Sequence, residues 1–559
     1  MPFQMDYLES APLDPAAEQA MVRMRDGTRL ATDVYLPPRP SGLPAVLVRL
    51  PYDKCARYTF MPQIAPFVTD RGYAFVVQDV RGKFRSEGET LPFVHEVEDG
   101  YDTLDWIAAQ PWSNGAVGMW GDSYYGYTQW AAVASGHQAL KAIVPRVTGT
   151  DFIDSGHWWG DWVMQLYGAD YLAHFWTDQS IYDFPVDWSH RPLGEAFDEG
   201  FAAIGKRSAG LDRFMLHRAS GGFDVYPPGR HPYECQHVPA LHSVGWFDNV
   251  APYSMRDYDR LTALPGRAGL QYLYADSIDH ENHRLDDLPI TRENDHDSSD
   301  DALERLIPRL MAPGLDFFDV FVRGLGGKDV VPRVRWHLGH DGWSESPSWP
   351  PPGARELRLY LGAAGRASAG AEGGVLASAP EAHSGRAAWV HDPARLVPSA
   401  PADPFALLRG WPDESDIEAR DDVLTFTSEA LATPLDLAGP VTAELALEST
   451  CASMHAHVKL LDVSPDGAAR MLVRGQAYVD SAAYGVRTSV DLSHTGYRVL
   501  PGHRLRLHVA CSDFPLYLWH PGTSEDPWLA VTGPENEQAL LTGGENRSSM
   551  SLTVLGGRE

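Results

Sequence analysis

The stretch Gly121-Asp122-Ser123-Tyr124-Tyr125-Gly126, with the residues on either side of it, limits the fold more than any other part of the chain. Ala116 to Trp120 is an apolar run of strand length. Tyr125 to Gly136 is rich in Ala, Gln, Trp and Thr and reads as a helix. A strand that turns sharply through a serine into a helix is the setting in which a G-x-S motif becomes a nucleophile elbow. Small residues are needed there, because the serine backbone is strained and the helix packs close behind it. The Ser123 Oγ is then held above the sheet edge. The next N–H, that of Tyr124, sits at a helix N-terminus and can donate to an oxyanion. The pattern departs from G-x-S-x-G, since Tyr125 holds the second glycine position and glycine follows at Gly126. Taken alone, the stretch is equally well an ordinary strand–turn–helix corner.

The surroundings supply the context. Met21 to Pro37 carries a hairpin signal at Asp26-Gly27. Ala45–Leu50, Tyr73–Val80 and Ala142–Pro145 are strand-like, and Glu96 to Gln110 has apolar residues at helical spacing. Such alternation implies a mostly parallel sheet with helices on both faces. From Asp151 the texture changes to a crowded aromatic segment at helical spacing, running to about Pro232. It reads as a helical insertion, either an aromatic core between helices or a lid over an apolar pocket. Trp158, Trp159 and Trp162, together with Phe247, are the expected pocket lining. Strand texture returns at Ala240–Phe247 and Leu270–Ile278. The acidic run Glu293–Asp301 fits no calcium loop and reads as an exposed start to a helix, with Asp301 and Glu304 as a capping box. That helix is expected to break near Pro313 and resume through Phe321.

A proline-rich boundary, Ser346 to Gly353, precedes an all-β region. Leu505, Leu507 and Val509 alternate with Arg504, Arg506 and His508, the pattern of a half-buried strand. Pro465-Asp466-Gly467 separates two further strands. Gly362 to Ala402 reads as long surface loops. Many short strands around one core suggest a sandwich or jelly roll. At 559 residues the chain is too long for one core. The expected units are residues 1–150 and 236–350 for the α/β domain, 151–235 for the insertion and 351–559 for the β domain.

Lys plus Arg number 46 against 75 Asp plus Glu, a net charge of −29 that repels phosphate backbones and anionic lipid. Nucleic-acid and membrane partners are therefore not expected. The four cysteines form no C-x-x-C pair, so neither a zinc site nor a disulfide framework is suggested. No secretory leader or membrane-length apolar run is visible, which makes a cytoplasmic protein the simplest reading. A homodimer would be unexceptional.

A serine nucleophile needs a base and an orienting acid, which in an α/β-hydrolase follow in the order Ser, Asp or Glu, His. Leu241 to Asp248 is a strand ending in an aspartate, and Leu273 to His280 one ending in a histidine. Asp276 rivals Asp248, and His283 and His242 rival His280. Arg49 to Lys54 closes an early strand, and its Tyr52 phenol is a candidate oxyanion donor.

These residues carry a resemblance. Pro51-Tyr52-Asp53-Lys54, Asp79 to Gly88, Asp105 to Gly115, Gly121-Asp122-Ser123-Tyr124 with Gly126, Gly245-Trp246-Phe247-Asp248, Pro434 to Pro440 and Ser512-Asp513-Phe514-Pro515 occur in the order found in the cocaine esterase and X-Pro dipeptidyl-peptidase group of serine hydrolases. The chain resembles that group over nearly its whole length, least in the aromatic insertion. The resemblance implies an α/β-hydrolase domain, an inserted helical cap and a C-terminal jelly roll. It implies Ser123 as nucleophile, His280 as base and Asp248 as acid, with the Tyr52 hydroxyl and the Tyr124 N–H as the oxyanion hole. No metal or cofactor is implied, and the substrate would be a small ester or amide. It also accounts for Gly126, because the group places its glycine at the later position.

Two departures stand out. The group usually has a tryptophan and a small or polar residue before the histidine, where this chain has Ile278-Asp279. Its α-amino-acid ester hydrolases have Asp-x-Glu-Asp at the acid loop, where this chain has Asp248-Asn249-Val250-Ala251. A neutral loop would leave a substrate ammonium unpaired. The expectation is a serine hydrolase acting on an ester through an acyl-enzyme. A dipeptidyl-peptidase, an acyltransferase and a non-catalytic binding protein are the alternatives.

Overall fold

The computed structural model describes residues 10–151, 162–184, 186–217, 225–235, 237–290, 299–401, 403–480, 482–545 and 547–556. Its first half is built on a ten-stranded sheet. The Asp26-Gly27 turn joins β1 (Glu18–Arg23) to β2 (Arg29–Tyr35) as an antiparallel hairpin, with Gly27 at φ +95°. The sheet continues with β3 (Leu43–Leu50), β4 (Ala74–Asp79), β5 (Ser113–Asp122), β6 (Leu140–Arg146), β7 (Ala240–Gly245), β8 (Gln271–Asp276), β9 (Val334–Leu338) and β10 (Gly342–Ser346). Their spatial order is β1-β2-β4-β3-β5-β6-β7-β8-β9-β10, parallel from β4 through β9. Strands buried on both faces read as continuous apolar runs, which is why β3 and β4 were visible in the sequence.

Helices cover both faces. On one, α1 (Met61–Asp70) packs with a long C-terminal helix of the domain, Asp300–Phe321, over Val46, Val48 and Phe75. On the other, α2 (Glu96–Ala108) and α3 (Ser123–Ser135) bury Leu104, Ile107 and Trp130 against Leu47 and Met119. The insertion between β6 and β7 contains α4 (Trp162–Phe175), α5 (Asp198–Ile204) and α6 (Ala209–His217). Between β7 and β8 lies α7 (Ala251–Ala263), and the Asp300–Phe321 helix is α8.

α8 corrects two expectations. Its N-cap is Ser299, whose hydroxyl accepts from the Ala302 N–H at 3.1 Å, rather than Asp301. It also runs unbroken through Pro308 and Pro313. Each proline removes one donor, but the buried face formed by Leu303, Leu306, Leu310, Met311, Leu315 and Phe318 holds the helix to the sheet.

The C-terminal half is an eleven-stranded, mostly antiparallel sheet assembly closing around one core. The turn at Gly467, φ +96°, joins strands Met454–Val463 and Ala469–Val479. Gly362 to Ala402 holds strands Gly374–Ala377 and Gly385–His391, not loops alone. The strand Arg504–Ala510 is buried on both faces, because Arg506 and His508 both bind the Glu418 carboxylate, His508 Nε2 at 3.0 Å. Alternation in the sequence therefore marked a buried charge pair here, not a wet face.

The two halves share a core. Trp246 stacks on Trp349 with ring centroids 5.1 Å apart, and its indole N–H donates to the His337 carbonyl at 2.9 Å. Phe247 lies edge-on to Trp411 and Tyr497 of the second domain. It packs at the junction of the two domains and also lines a cavity there with Asp248, Pro404 and Leu407. Trp158 and Trp159 lie outside the described residues, as does the side chain of Trp162, whose backbone opens α4.

Candidate active site

The turn at Ser123 follows from packing. β5 ends at Asp122 and α3 begins at Ser123, with no intervening loop. Ser123 holds φ at +51°, a left-handed conformation that costs a non-glycine residue on the order of 1–3 kcal/mol. Close approach explains the flanking glycines. A Cβ on Gly121 would lie 2.2 Å from Tyr125 Cδ2, and one on Gly126 would lie 2.5 Å from Thr148 Cγ2. The Thr148 hydroxyl donates to the Ser123 carbonyl at 2.7 Å and fixes the turn from β6. Tyr125, at the position of the missing glycine, is half-buried and lies edge-on to Tyr52, 6.0 Å between centroids.

The Tyr124 N–H lies in the first turn of α3, where no earlier helical carbonyl exists to accept it. The Tyr124 phenol is turned elsewhere, donating to Glu96 Oε1 at 2.8 Å. Only its backbone is offered to the site.

Asp248 and His280 follow the ends of β7 and β8. His280 Nδ1 donates to Asp248 Oδ1 at 2.9 Å, and the Asp248 side chain is wholly buried. With Nδ1 so engaged, the lone pair falls on Nε2. Burial works against the His280 imidazolium, but the Asp248 charge and hydrogen bond outweigh it, helped by Glu281 and Asp122, and lift its pKa to about 9.

The rival residues are accounted for. His283 is buried and turned to Asp279, 3.3 Å from its Oδ2. His242 lies inside β7, its Nε2 2.9 Å from Gln271 Oε1, and burial lowers its pKa to about 4. Asp276 accepts from Arg284 Nε at 3.1 Å.

Tyr52 follows β3 and is ringed by Tyr58, Tyr125 and Phe175 of the cap. Burial raises its pKa to about 12, while the hydroxyls of Tyr171 and Ser123 act on it in the opposite sense. The phenol therefore stays protonated at neutral pH and remains a donor. The aromatic insertion in the sequence gave no indication that Tyr171 and Phe175 would reach Tyr52.

The second domain also enters. Phe405 lays its ring against His280, 5.0 Å between centroids, and accepts the Glu281 N–H on its carbonyl at 3.2 Å. The Leu408 N–H donates to Asp279 Oδ2 at 2.9 Å, and the His283 N–H to Asp279 Oδ1 at 2.9 Å. Asp279, a departure from the group's pattern, thus ties the histidine loop to the neighbouring domain. Nothing in the local sequence pointed to residues so far along the chain.

Among the described residues no cluster of His, Cys, Asp and Glu is arranged to hold a metal ion. No helix among them is long and apolar enough to cross a membrane.

Comparison with known proteins identifies the family. Residues 26–280 match the X-Pro dipeptidyl-peptidase (S15) family, and residues 327–551 the X-Pro dipeptidyl-peptidase C-terminal non-catalytic domain. The cocaine esterase of Rhodococcus sp. (strain MB1 Bresler) is 32% identical over 560 residues, covering 90% of this chain and 91% of that one. A putative serine esterase of Mycobacterium bovis is 24% identical over 601 residues, at the same coverage of 90% and 91%. Among solved structures, an α-amino acid ester hydrolase superposes with a TM-score of 0.78 at 24% identity, covering 97% of this chain and 98% of its own. An aminopeptidase of a Thaumarchaeota archaeon gives 0.77 at 23% identity, covering 97% and 96%. These two show the shared fold: an α/β-hydrolase domain followed by a C-terminal β domain. The chain belongs to the cocaine esterase and X-Pro dipeptidyl-peptidase family and is a serine ester hydrolase.

Proposed function

We propose that the protein cleaves carboxylic esters through a Ser123–His280–Asp248 triad and an acyl-enzyme. The observation that carries this reading is the 2.9 Å pair between His280 and the buried Asp248, together with a serine on a strained strand-to-helix turn. His280 Nε2 takes the Ser123 Oγ proton as Oγ bonds to the ester carbonyl carbon. The Tyr52 hydroxyl and the Tyr124 N–H receive the resulting oxyanion. The tetrahedral intermediate collapses, the C–O bond to the alcohol breaks, and His280 returns the proton to the leaving oxygen. Water then repeats the sequence on the acyl-enzyme. Asp248 holds the tautomer and stabilises the imidazolium.

The substrate reading favours neutral esters. The loop Asp248-Asn249-Val250-Ala251 carries no carboxylate beyond the acid itself. An assay of alkyl and aryl esters, α-amino esters and X-Pro anilides tests this. Neutral esters should show the highest kcat/KM, and preference for an X-Pro anilide would overturn the reading.

Tyr52→Phe removes one hydroxyl and keeps the ring packing. It should lower kcat by roughly 10²–10³ with little change in KM, the pattern of a donor engaged in the transition state. Unchanged turnover would take Tyr52 out of the site.

The base must be neutral to accept the serine proton. A raised imidazole pKa keeps it charged to higher pH, so activity is present above that pKa and lost below it. The acid limb of kcat/KM on a non-titrating ester should have its midpoint well above the ordinary histidine value of about 6.5. A midpoint at or below that value would refute the assignment of the Asp248–His280 pair as the titrating unit.

A further inference from the structure

Asp122 immediately precedes Ser123 at the N-cap of α3, and its side chain makes no capping bond there. That is unusual for an aspartate in this place. It is only 7% exposed, and its charge is felt at His280, Tyr52 and Tyr125. A carboxylate here opposes the negative charge that the reaction builds beside Tyr52, and in a poorly hydrated site such repulsion is strong.

Arg146, at the end of β6 and 4% exposed, meets that carboxylate. Its Nε donates to Asp122 Oδ1 at 2.7 Å. Its Nη2 donates to Asn282 Oδ1, also at 2.7 Å, and its Nη1 lies 3.4 Å from Ser243 Oγ. The guanidinium sits 5.7 Å from the Trp120 ring centre. Asn282 lies two residues beyond His280 with φ +64°. One planar group thus touches the turn that carries the nucleophile and the loop that carries the base.

We propose that Arg146 is a positioning residue of the catalytic centre, neutralising Asp122 beside the nucleophile with one arm and holding the His280 loop through Asn282 with the other. This rests on Ser123 and His280 acting as nucleophile and base. The fork geometry of arginine is essential, because a lysine ammonium is a single point that cannot span both acceptors at these distances.

The test compares kcat, KM and Tm of the full chain on one activated ester across Arg146→Met, Asp122→Asn, their combination, and Asn282→Gly. Arg146→Met strands a buried carboxylate beside the developing oxyanion and should lower kcat about 10²–10³-fold with KM within a few-fold. Asp122→Asn keeps an acceptor for Nε and should stay within about threefold of the parent. The double variant removes the stranded charge and should recover at least tenfold in kcat over Arg146→Met, a coupling expected of groups in contact. Asn282→Gly suits the positive φ and severs only the loop arm, so kcat should fall about tenfold while Tm holds. A purely structural role would leave the double variant as impaired as Arg146→Met, and that result overturns the inference, as does an Asn282→Gly variant with parental kcat. If Arg146→Met fails to fold, Arg146→Lys should match Asn282→Gly in kcat, and a parental value would overturn the inference equally. Either failure alongside an inactive Ser123→Ala leaves the triad standing, whereas an active Ser123→Ala removes the triad itself.

Discussion

Ser123→Ala should reduce turnover on a good ester by about 10⁴–10⁶ while the chain stays folded. Alanine removes one oxygen from a turn whose shape is set by Gly121, Gly126 and Thr148, so the far- and near-ultraviolet dichroism should match the parent. The φ of +51° is no easier for alanine than for serine, and the substitution should leave Tm nearly unchanged. Labelling by a fluorophosphonate should disappear along with turnover. More than a few per cent residual esterase activity in this variant would sink the nucleophile assignment. A trace of activity above background is compatible with it, because the oxyanion donors and binding act without the serine.

The second large effect separates two histidines three positions apart. His280→Ala should lose activity on the same scale, since His280 is the imidazole paired with Asp248. His283→Ala should keep kcat within about tenfold and show its cost in stability instead, about 1–3 kcal/mol from a buried polar partner lost. His283 faces Asp279, which retains the Leu408 and His283 backbone donors when the ring is gone. Steady-state kinetics and thermal melts of the pair decide it. An active His280→Ala with a dead His283→Ala would reverse the assignment.

What the sequence made legible is what local pattern controls. β5, the turn at Ser123 and α3 could be read because a buried strand, a glycine-bracketed serine and a helix leave local signals. The Asp26-Gly27 hairpin was legible for the same reason. The choice between His280 and His283 was less so, because both lie in one loop and what separates them is that His280 meets the distant Asp248 while His283 turns to Asp279. His280 directly follows a strand-like run, which favoured it over the rival His283, and the family resemblance pointed the same way. α8 was misread at Pro313 because tertiary burial outweighed a local helix breaker. Arg506 and His508 were misread because a shared buried partner, Glu418, cannot be inferred from alternation. For Phe247, a strand-end aromatic beside an acid gave no sign that Trp411 and Tyr497 of a second domain would also meet it. The brace at Arg146 left one clue, an aspartate at a helix start beside a nucleophile, which needs a cation from elsewhere in the chain.

The clasp on the histidine loop bears on how the protein comes into being. A chain is made from its N-terminal end, and domains fold as they are completed. The serine turn and the acid are among the earlier parts made. The amide that pins Asp279 belongs to Leu408, 129 residues later, and the ring that backs His280 belongs to Phe405. A nascent chain that stops short of these residues carries the proposed nucleophile without the contacts that seat its proposed base. Translation therefore delivers the parts of a hydrolase well before it delivers a hydrolase. Prematurely terminated products are therefore expected to be poor esterases, which assay of a chain ending before Phe405 would check.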